Sequence, residues 1–539
     1  MPSSTETFDF VILGAGAAGI QLGYFLERAG SRYVILEGDA EVGRFWRRFP
    51  RSRELISFNR VSSIYEDPEL LMRWDWNSLL TDDYSMRFRD YSQRLYPRAE
   101  EMERYLKDFV QRFGIRVSFN CRIQTVSRDS DGFLVHPEHG GPLRARRLVV
   151  ATGVGRPFVP EIPGIELAEG YESVPMEPDA FRDQRVLVLG KGNSAFEVAE
   201  VALETAALVH LASPNPIRLA WRTRHPGNVR ANYVRLLDTY QLKLLNGALD
   251  CDVRWIRREG DGFDVCVTYH HADGEEETLH YDRIVRCTGF RFDDSIFDDS
   301  CRPEPHPVIG RLPAMSSTWE SVNVPNLFFA GTLMQSRDFR RASTPFVDGF
   351  RYNIRTLSRM LCGGDTDRVP PGRRVARTTE ALSAEIIARI SRSSGLWAQF
   401  GYLCDAIVLD GDTATYHEEL PRDFCQELGA RRGDETLTIN FEWGSWDGDV
   451  FAIDRHPSAD MAYTNVFLHP VVRHYRSGEM VAEHHVLEDL LGMYAGAGES
   501  GVVRRRSGRD MHTYHQDEHD RPLREFLDRQ VGAAAGAQS

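Results

Sequence analysis

The sequence predicts an α/β protein in which two Rossmann-like dinucleotide-binding domains are followed by an appended, mixed C-terminal region. At two places in the chain, near residues 14 and 190, a short apolar run ends in a glycine-rich turn and continues into a helical pattern. A third observation is a composition break, GGDTDRVPPGRR near 363–374, which predicts a linker before the remaining residues.

Composition narrows the classes of protein that the chain can represent. Its 539 residues are 42% hydrophobic and 27% charged, which is typical of a globular protein of several domains. The net charge of -14 opposes a nucleic-acid partner. The eight cysteines show neither CxxC nor metal-ligand spacing, so we expect no metal site and no redox dithiol. Without a basic segment before the first apolar run, we expect a cytoplasmic protein with no membrane association.

The predicted elements follow one another in a regular order. In the first unit, a strand from Phe8 to Leu13 leads into a helix from Ala17 to Arg28 and a second strand ending at Glu37. The second unit repeats this with RVLVLG at 185–190 and a helix over 194–205. The other predicted elements are a helix in EEMERYLKDFVQRFG, strands in RVSFN, GFLVHP, RRLVVATG, RIVRCTGF and NLFFAGT, a helix over 345–361, and, beyond the linker, a helix over 378–394, strands in TLTINFEW and MAYTNVFLHPVVRHY, and a polar tail.

The first glycine-rich turn predicts a site for FAD. Gly14 permits the tight turn, Gly16 lets the backbone approach a pyrophosphate, and Gly19 allows close packing of helix on sheet. The free N–H groups and the dipole of the helix N-terminus favour the anion. Glu37 is placed to accept hydrogen bonds from a ribose. A glycine-rich turn without a ligand is the alternative interpretation.

The second turn predicts a site for NADPH. Gly190 and Gly192 repeat the glycine-rich turn, and Asn193 and Ser194 stand where that turn would continue. After the next strand no carboxylate follows, and arginines come soon after, at Arg218, Arg222 and Arg224. An arginine can bind a 2′-phosphate that a carboxylate would repel, so NADPH is favoured over NADH. The alternative is that these arginines lie on the surface.

Two dinucleotide sites in one chain indicate that one cofactor reduces the other. The first site is assigned to the flavin because its unit opens the chain and is completed by later segments. The predicted domains are an FAD-binding domain in two parts, 1–160 and 286–362, an NADPH-binding domain over 161–285, and a C-terminal domain over 375–539.

The order of motifs resembles that of the class B flavoprotein monooxygenases, which include flavin-containing and N-hydroxylating enzymes. These motifs are GAGAAG, GRFWRRFP, YPRAEEMERYLKDFVQRFG, LVVATG, VLVLGKGNSAFE and RCTGF. Almost the whole chain is similar to the FAD-dependent oxidoreductase domain-containing flavoproteins and their bacterial relatives, through RFPRSRELISFNR, WDWNSLL, GFRFDDSIFDDS, FRRASTPFVDGFRY and NVFLHPVV. Those relatives include enzymes that oxidise the amino group of aspartate toward nitrosuccinate.

Two departures from the class B pattern stand out. The family motif FxGxxxHxxxY/F is replaced by GYESVPMEPDAF, with Tyr171 near the expected histidine, and the double glycine before Trp46 is reduced to Gly43. Both weaken the inference of a standard sulfur or amine monooxygenase.

The resemblance implies that NADPH reduces the flavin, that the reduced flavin captures O2 at C4a, and that a substrate nucleophile attacks the resulting (hydro)peroxide. It places Asn59 beside the flavin, with loop capping as the alternative, and Trp46 near the ring, with core packing as the alternative. The remaining predicted cofactor contacts are Gly43, Val126, Gly153, Gly331 and Asp338, together with the helix start at 346–349.

Several arginines suggest the class of substrate. Arg291 follows the return to the first domain, Arg337, Arg340 and Arg341 follow a buried strand, and His469 and Arg473 lie in the appended region. Arginines that converge on one cleft suit carboxylates, so we expect N-hydroxylation of a small acidic amino acid such as aspartate, with the extent of oxidation up to the nitro product left open. We assign catalytic roles to Asn59, Arg291, Arg341 and Arg473. Structural salt bridges are the alternative for each arginine.

Other functions remain open from the sequence. One alternative is oxygenation at sulfur or of a ketone by Baeyer-Villiger chemistry. Another is a flavoprotein whose main role is to bind a protein, and a disulfide reductase ranks last because there is no adjacent dithiol. The sequence also leaves a homo-oligomer open.

Overall fold

A mixed sheet, whose central strands are parallel, forms the core of the first nucleotide-binding unit. The computed structural model describes residues 7–63, 65–363, 367–449, 451–453, 458–495 and 516–531. In this sheet the order is β3-β2-β1-β6-β5-β4, and β16 pairs with β6. The strands are β1 (Thr7–Leu13), β2 (Tyr33–Leu36), β3 (Val117–Ser118), β4 (Ile123–Asp129), β5 (Gly132–Pro137), β6 (Leu143–Val150) and β16 (Leu327–Phe329).

A second sheet carries the second unit, in the order β13-β12-β11-β10-β9-β14-β8. Its strands are β8 (Glu169–Gly170), β9 (Arg185–Leu189), β10 (Leu208–Ser213), β11 (Gly247–Glu259), β12 (Gly262–Tyr269), β13 (Glu276–Tyr281) and β14 (Arg283–Arg286). The chain leaves the first unit through β7 (Arg156–Pro157) and returns through β15 (Phe290–Arg291), and these two strands pair antiparallel. This crossing lies near the predicted domain boundaries, which themselves stay predictions.

The appended region contains a third, fully antiparallel sheet in the order β17-β19-β18-β20-β21-β22. Its strands are β17 (Arg373–Ala376), β18 (Leu403–Asp410), β19 (Thr413–Pro421), β20 (Glu435–Glu442), β21 (His469–Arg476) and β22 (Glu479–His485). Two pairs of successive strands, β18–β19 and β21–β22, are joined by short turns and form hairpins, which requires antiparallel pairing.

Helices cover the sheets and begin or end at residues with clear local signals. Gly114, with φ of 62°, ends α4, and the Thr378 hydroxyl accepts a hydrogen bond from Ala381 N at 3.2 Å where α9 begins. The helices are α1 (Ala17–Arg28), α2 (Arg44–Arg48), α3 (Pro68–Leu71), α4 (Ala99–Phe113), α5 (Asn193–Ala202), α6 (Ala220–Thr223), α7 (Arg235–Lys243), α8 (Val347–Gly363), α9 (Thr379–Arg392), α10 (Ser394–Ala398), α11 (Arg422–Arg432) and α12 (Gln516–Val531). Within the described ranges, no helix is both long enough and apolar enough to cross a membrane.

Buried ion pairs join the appended region to the first unit. The Glu419 carboxylate, fully buried on β19, accepts from Arg355 Nε of α8 at 2.9 Å and from Arg389 Nη2 of α9 at 3.0 Å. Arg389 Nε also donates to the buried Asp405 carboxylate at 2.7 Å. Because removing one partner would leave an uncompensated buried charge, these contacts fix the appended sheet against α8.

The predicted α/β class with two glycine-turn units is confirmed, and three local predictions are wrong. Only the second half of MAYTNVFLHPVVRHY forms a strand, because 459–464 forms a 3-10 turn. The strand predicted in RVSFN shortens to two residues. The tail is not simply polar coil, since 516–531 forms a helix, although 496–515 and 532–539 lie outside the described residues, as do 364–366 of the predicted linker.

Candidate dinucleotide and substrate sites

The three glycines of the first turn have three different surroundings. Gly14 has a φ of 100°, in the left-handed region. A Cβ added at Gly16 would meet no atom within 4 Å, whereas a Cβ at Gly19 would lie 2.0 Å from Gly14 O. Gly16 is the N-cap residue of helix α1, which has no side-chain cap and no acidic residue in its first turn. The turn is therefore open to an approaching anion, and the helix behind it is packed closely.

Other segments converge on this turn. The Glu37 carboxylate accepts from Ala15 N at 2.8 Å and from Asp39 N at 3.0 Å. Gly43 N donates to Ala15 O at 3.0 Å, and a Cβ at Gly331 would lie 2.5 Å from Ala18 Cβ. An acid at the end of β2 and two glycine backbones against α1 form a cradle that fits an adenine dinucleotide.

The second turn repeats the geometry of the first. Gly190 has a φ of 130°, and an added Cβ would lie 2.4 Å from Cys287 O. A Cβ at Gly192 would meet no atom within 4 Å. Helix α5 begins at Gly192 without a side-chain cap or an acidic first turn, and Ala195 fills the third position, fully buried. The second turn therefore fits an anionic dinucleotide in the same way as the first turn does.

Two predicted contacts near this turn have other roles. Asn193 Nδ2 donates to Gly227 O at 3.1 Å and to Asn228 O at 3.0 Å, and Asn193 Oδ1 accepts from Arg230 N at 3.0 Å. Both N–H groups of Asn193 are used, so its side chain holds the loop 227–230 and does not act as a cofactor donor. Ser194 lies beside Tyr171 at the start of α5 and stays a predicted contact.

The contacts of Arg224 disfavour its predicted role in binding a phosphate. Its guanidinium lies over the rings of Trp443 at 4.2 Å and Trp446 at 3.9 Å, and it donates to Val466 O. Burial lowers the pKa of Arg224 to about 10. The predicted role is corrected because aromatic residues of the appended region enclose this side chain. Arg222 and Arg218 are exposed and stay candidates for the 2′-phosphate.

Tyr171, at the position of the family histidine, lies where the two units meet. Its hydroxyl donates to Glu197 Oε2 of α5 at 2.5 Å, and its ring stacks on Phe49 at 5.5 Å. Ser52 N donates to the same carboxylate. Burial raises the pKa of Glu197. The segment 49–52 is thus fastened directly to the helix of the second turn.

The remaining predicted flavin contacts have mixed outcomes. Asn59 Nδ2 donates to Ser92 O at 2.7 Å and to Arg94 O at 3.2 Å, which favours the loop-capping alternative. Val126 is excluded as a contact, because its side chain is buried and its N–H and C=O bond to Ile296 and Asp298. Gly153, with φ of 65° and open space around it, and the half-buried Trp46 stay predictions.

Two buried carboxyls lie after β16. Asp338 accepts from Thr344 Oγ1 at 2.7 Å through one oxygen, and its other oxygen has no partner. Asp348, in the first turn of α8, also has one oxygen without a partner. Burial raises the pKa of each to about 7. Orphaned buried acceptors are what a hydroxyl-bearing cofactor or an amine would satisfy.

The structure separates the predicted substrate arginines into two groups. Arg473 is fully paired, with Glu442 at 2.7 and 2.8 Å and Glu483 at 3.2 Å, which favours the structural salt bridge over its predicted catalytic role. Arg337 pairs with Asp423, and the buried imidazole of His469 bonds that of His485 at 2.8 Å. In contrast, Arg340 and Arg341 are exposed and Arg291 Nε is buried without a partner.

A cluster of four arginines, which we call the junction arginines, lies between the units: Arg218, Arg291, Arg311 and Arg340. Arg311 lies over the Phe158 ring at 3.4 Å, and its pKa is lowered by burial and by the charges of Arg340 and Arg291. Burial and the charge of Arg218 lower the pKa of Arg340. Across the described part of the chain, none of the four pairs with an acid. The sequence prediction missed Arg311, which no motif marks.

The fold and the two turns define a flavin-dependent oxidoreductase that also binds a pyridine nucleotide. Residues 11–331 match the family described as pyridine nucleotide-disulphide oxidoreductase. The chain is 33% identical over 562 residues to FAD-dependent oxidoreductase domain-containing protein 2 of Danio rerio, covering 90% of this chain and 81% of that protein. The Mus musculus protein of that name is 36% identical over 540 residues with the same coverage. The chain belongs to this family, which confirms FAD and NADPH as its cofactors.

Solved structures agree at the level of the fold. A flavin-containing monooxygenase from Stenotrophomonas maltophilia aligns with a TM-score of 0.50 and 21% identity, covering 66% of this chain and 98% of that one. FAD-bound DfoA, the cadaverine monooxygenase of desferrioxamine biosynthesis in Erwinia amylovora, aligns with a TM-score of 0.51 and 14% identity, covering 66% and 95%. Both alignments leave about a third of this chain outside the shared fold.

Proposed function

We propose that this protein is an FAD- and NADPH-dependent monooxygenase that hydroxylates the amino group of a small acidic amino acid such as aspartate, with the nitro product as the furthest oxidation state. The proposal that the substrate is acidic rests on the junction arginines. They come from both units and have no acidic partner among the described residues.

Electrostatics supports a small anion at this place. Burial lowers the pKa of Arg311 and of Arg340, and the positive charges of neighbouring arginines lower both further. The chain as a whole carries a net charge of -14, so acids to neutralise these arginines are abundant in the sequence. That none does so favours a ligand that brings its own carboxylates or phosphates.

The protein's own residues would position the cofactors and exclude water. The first turn, Glu37, Gly43 and Gly331 would hold FAD, and the second turn would hold NADPH. Bound flavin, once reduced by NADPH, supplies the oxygen chemistry. The stacked rings of Phe49 and Tyr171 place apolar surface where the two units meet, which favours a site with little water.

The test is NADPH oxidation and oxygen consumption with a panel of amino acids, with products identified by mass. Aspartate and asparagine form the matched pair, since they differ mainly by one charge. We expect coupled turnover with aspartate and little with asparagine. Hydrogen peroxide as the sole product with every amino acid would contradict the proposal. A product oxygenated at sulfur, or beside a ketone carbonyl, would favour the other monooxygenase classes.

A further inference from the structure

Arg230 is a buried arginine with an unsatisfied guanidinium at the junction of the units. It is 7% exposed, and its guanidinium lies over the rings of Phe58 at 4.7 Å and Trp76 at 5.2 Å. Its Nη1 is buried and has no hydrogen-bond partner. Its backbone N–H is fixed by Asn193 of the second turn. Stacking on the two rings therefore holds the side chain in place, and the hydrogen bond to Asn193 holds its backbone.

Arg73 is a buried arginine whose guanidinium nitrogens are all satisfied by the polypeptide. Arg73 also stacks on an aromatic ring, that of Trp397 at 4.7 Å. Its Nε, Nη1 and Nη2 all donate to backbone carbonyls, at 2.9, 2.9 and 2.7 Å. A buried N–H without an acceptor is costly, so Arg230 is expected to meet an acceptor that the polypeptide itself does not provide.

Asp348 is a buried acceptor that lacks a hydrogen-bond donor, as Arg230 lacks an acceptor. It is 4% exposed and lies in the first turn of α8, with Oδ1 buried and unpartnered. Burial raises its pKa, while the charges of Arg351 and Arg230 and a hydrogen bond from Ser343 lower it. Arg230 is thus within electrostatic range of Asp348, but no hydrogen bond or ion pair joins these two described residues.

We propose that Arg230 and Asp348 together bind the amino-acid zwitterion, Arg230 through the α-carboxylate and Asp348 through the ammonium group. This inference rests on the proposed function and names the residues that hold the substrate's backbone. The junction arginines are then free to bind the side-chain carboxylate or a dinucleotide phosphate.

The pair also supplies a proton acceptor. An ammonium nitrogen has no lone pair, so it must lose a proton before it can attack oxygen. Transfer of that proton to Asp348 Oδ1 gives a neutral amine and a neutral carboxylic acid, with no change in electron count. A carboxyl whose pKa lies near 7 is suited to this exchange at neutral pH.

The appended region has a place in this arrangement. Arg224, enclosed by Trp443 and Trp446, anchors the start of the loop whose end is Arg230. Asn193 fixes the middle of the same loop. We therefore expect the C-terminal region to position Arg230 without touching the substrate.

The test uses the FAD-loaded full-length chain and the variants Arg230→Gln, Arg230→Lys and Asp348→Asn. Arg257→Gln is the matched control, because Arg257 also stacks on an aromatic ring, Trp255 at 4.2 Å, but lies in the β11–β12 hairpin. Arg230→Gln should raise the KM for aspartate about 10- to 100-fold, the range expected for a lost charged hydrogen bond. Its flavin content and rate of reduction by NADPH should match those of Arg257→Gln. Arg230→Lys should recover part of the loss.

Two further readouts separate substrate binding from folding. β-Alanine lacks the α-carboxylate of aspartate, so its KM should be the same in Arg230→Gln and wild type. The acid limb of kcat/KM with aspartate should begin near pH 7 in wild type, and in Asp348→Asn it should move up toward the pKa of the free amine. Unchanged aspartate KM in Arg230→Gln, or equal losses for aspartate and β-alanine, would overturn the proposal.

The proposed function can fail separately. If wild type oxidises no amino acid, the monooxygenase proposal falls, while aspartate binding measured by calorimetry on wild type and Arg230→Gln still tests the pair. Binding by wild type that Arg230→Gln weakens would support it, and equal binding or none would refute it.

Discussion

A methyl group placed at Gly16 should weaken the binding of FAD alone, and one placed at Gly192 should weaken the binding of NADPH alone. Both residues have extended backbone angles, φ of -77° at Gly16 and -96° at Gly192, which alanine adopts without strain. An added Cβ meets no protein atom within 4 Å at either position. The apoprotein of each alanine variant should therefore keep its stability or gain about 0.4–1 kcal/mol from reduced freedom of the unfolded chain.

The same methyl would stand where a pyrophosphate must approach. Overpacking of a fitted site costs about 1–3 kcal/mol, which corresponds to roughly 5- to 150-fold in Kd. Gly16→Ala should lose FAD affinity by this factor, and Gly192→Ala should keep its FAD while its KM for NADPH rises similarly. Each variant is the control for the other.

The assay is urea unfolding of the apoproteins, followed by FAD titration and stopped-flow reduction by NADPH. Gly19→Ala gives a useful contrast, since its Cβ would lie 2.0 Å from Gly14 O and should destabilise the fold itself. Wild-type FAD affinity in Gly16→Ala would refute the reasoning, as would loss of FAD from Gly192→Ala.

Four further outcomes follow from individual side chains. Arg473→Gln should lower stability by about 1–3 kcal/mol in urea unfolding, because Glu442 loses one of its two arginine partners and keeps only Arg422, and should leave the substrate KM unchanged. Arg222→Gln should raise the KM for NADPH but not for NADH in steady-state assays. Arg224→Gln should cost about 2 kcal/mol of stability with no change in the NADPH-to-NADH ratio. The pKa of Asp338 is raised to about 7 in the folded chain, so the folded protein keeps this proton to a higher pH than the unfolded protein does. The stability of the apoprotein should therefore fall as pH rises from about 4 to 7. Unfolding measured at several pH values should show a smaller slope for Asp338→Asn.

The parts that the sequence predicts well are those in which local pattern determines structure. The glycine spacing predicted both turns, and α1 has the predicted bounds, because a turn and the helix after it depend on neighbouring residues. The strand predicted over MAYTNVFLHPVVRHY was too long, because its first residues form a 3-10 turn that no alternating pattern announces.

Side-chain roles were harder to predict because they depend on distant partners. Arg224 and Arg473 share their residue type with Arg291, but Trp443 and Glu442 determine what the first two do. These partners lie in the appended region, more than thirty positions from Arg473 in one case and over two hundred from Arg224 in the other.

The residues that the sequence missed carry a signal visible only in three dimensions. Arg230 belongs to no motif, and Asp348, although it lies in FRRASTPFVDGFRY and in the predicted helix start at 346–349, was given no role of its own; each is marked by a buried polar atom without a partner. Burial without a partner is a property of the packed chain, so only the three-dimensional structure reveals it.

The most direct measurement is the absorbance spectrum of the purified protein before and after anaerobic addition of NADPH. Two functional turns predict a yellow protein with stoichiometric FAD that NADPH bleaches. A colourless preparation that takes up no added FAD, or bound FAD that NADPH leaves oxidised, would contradict the assignment of one dinucleotide to each turn.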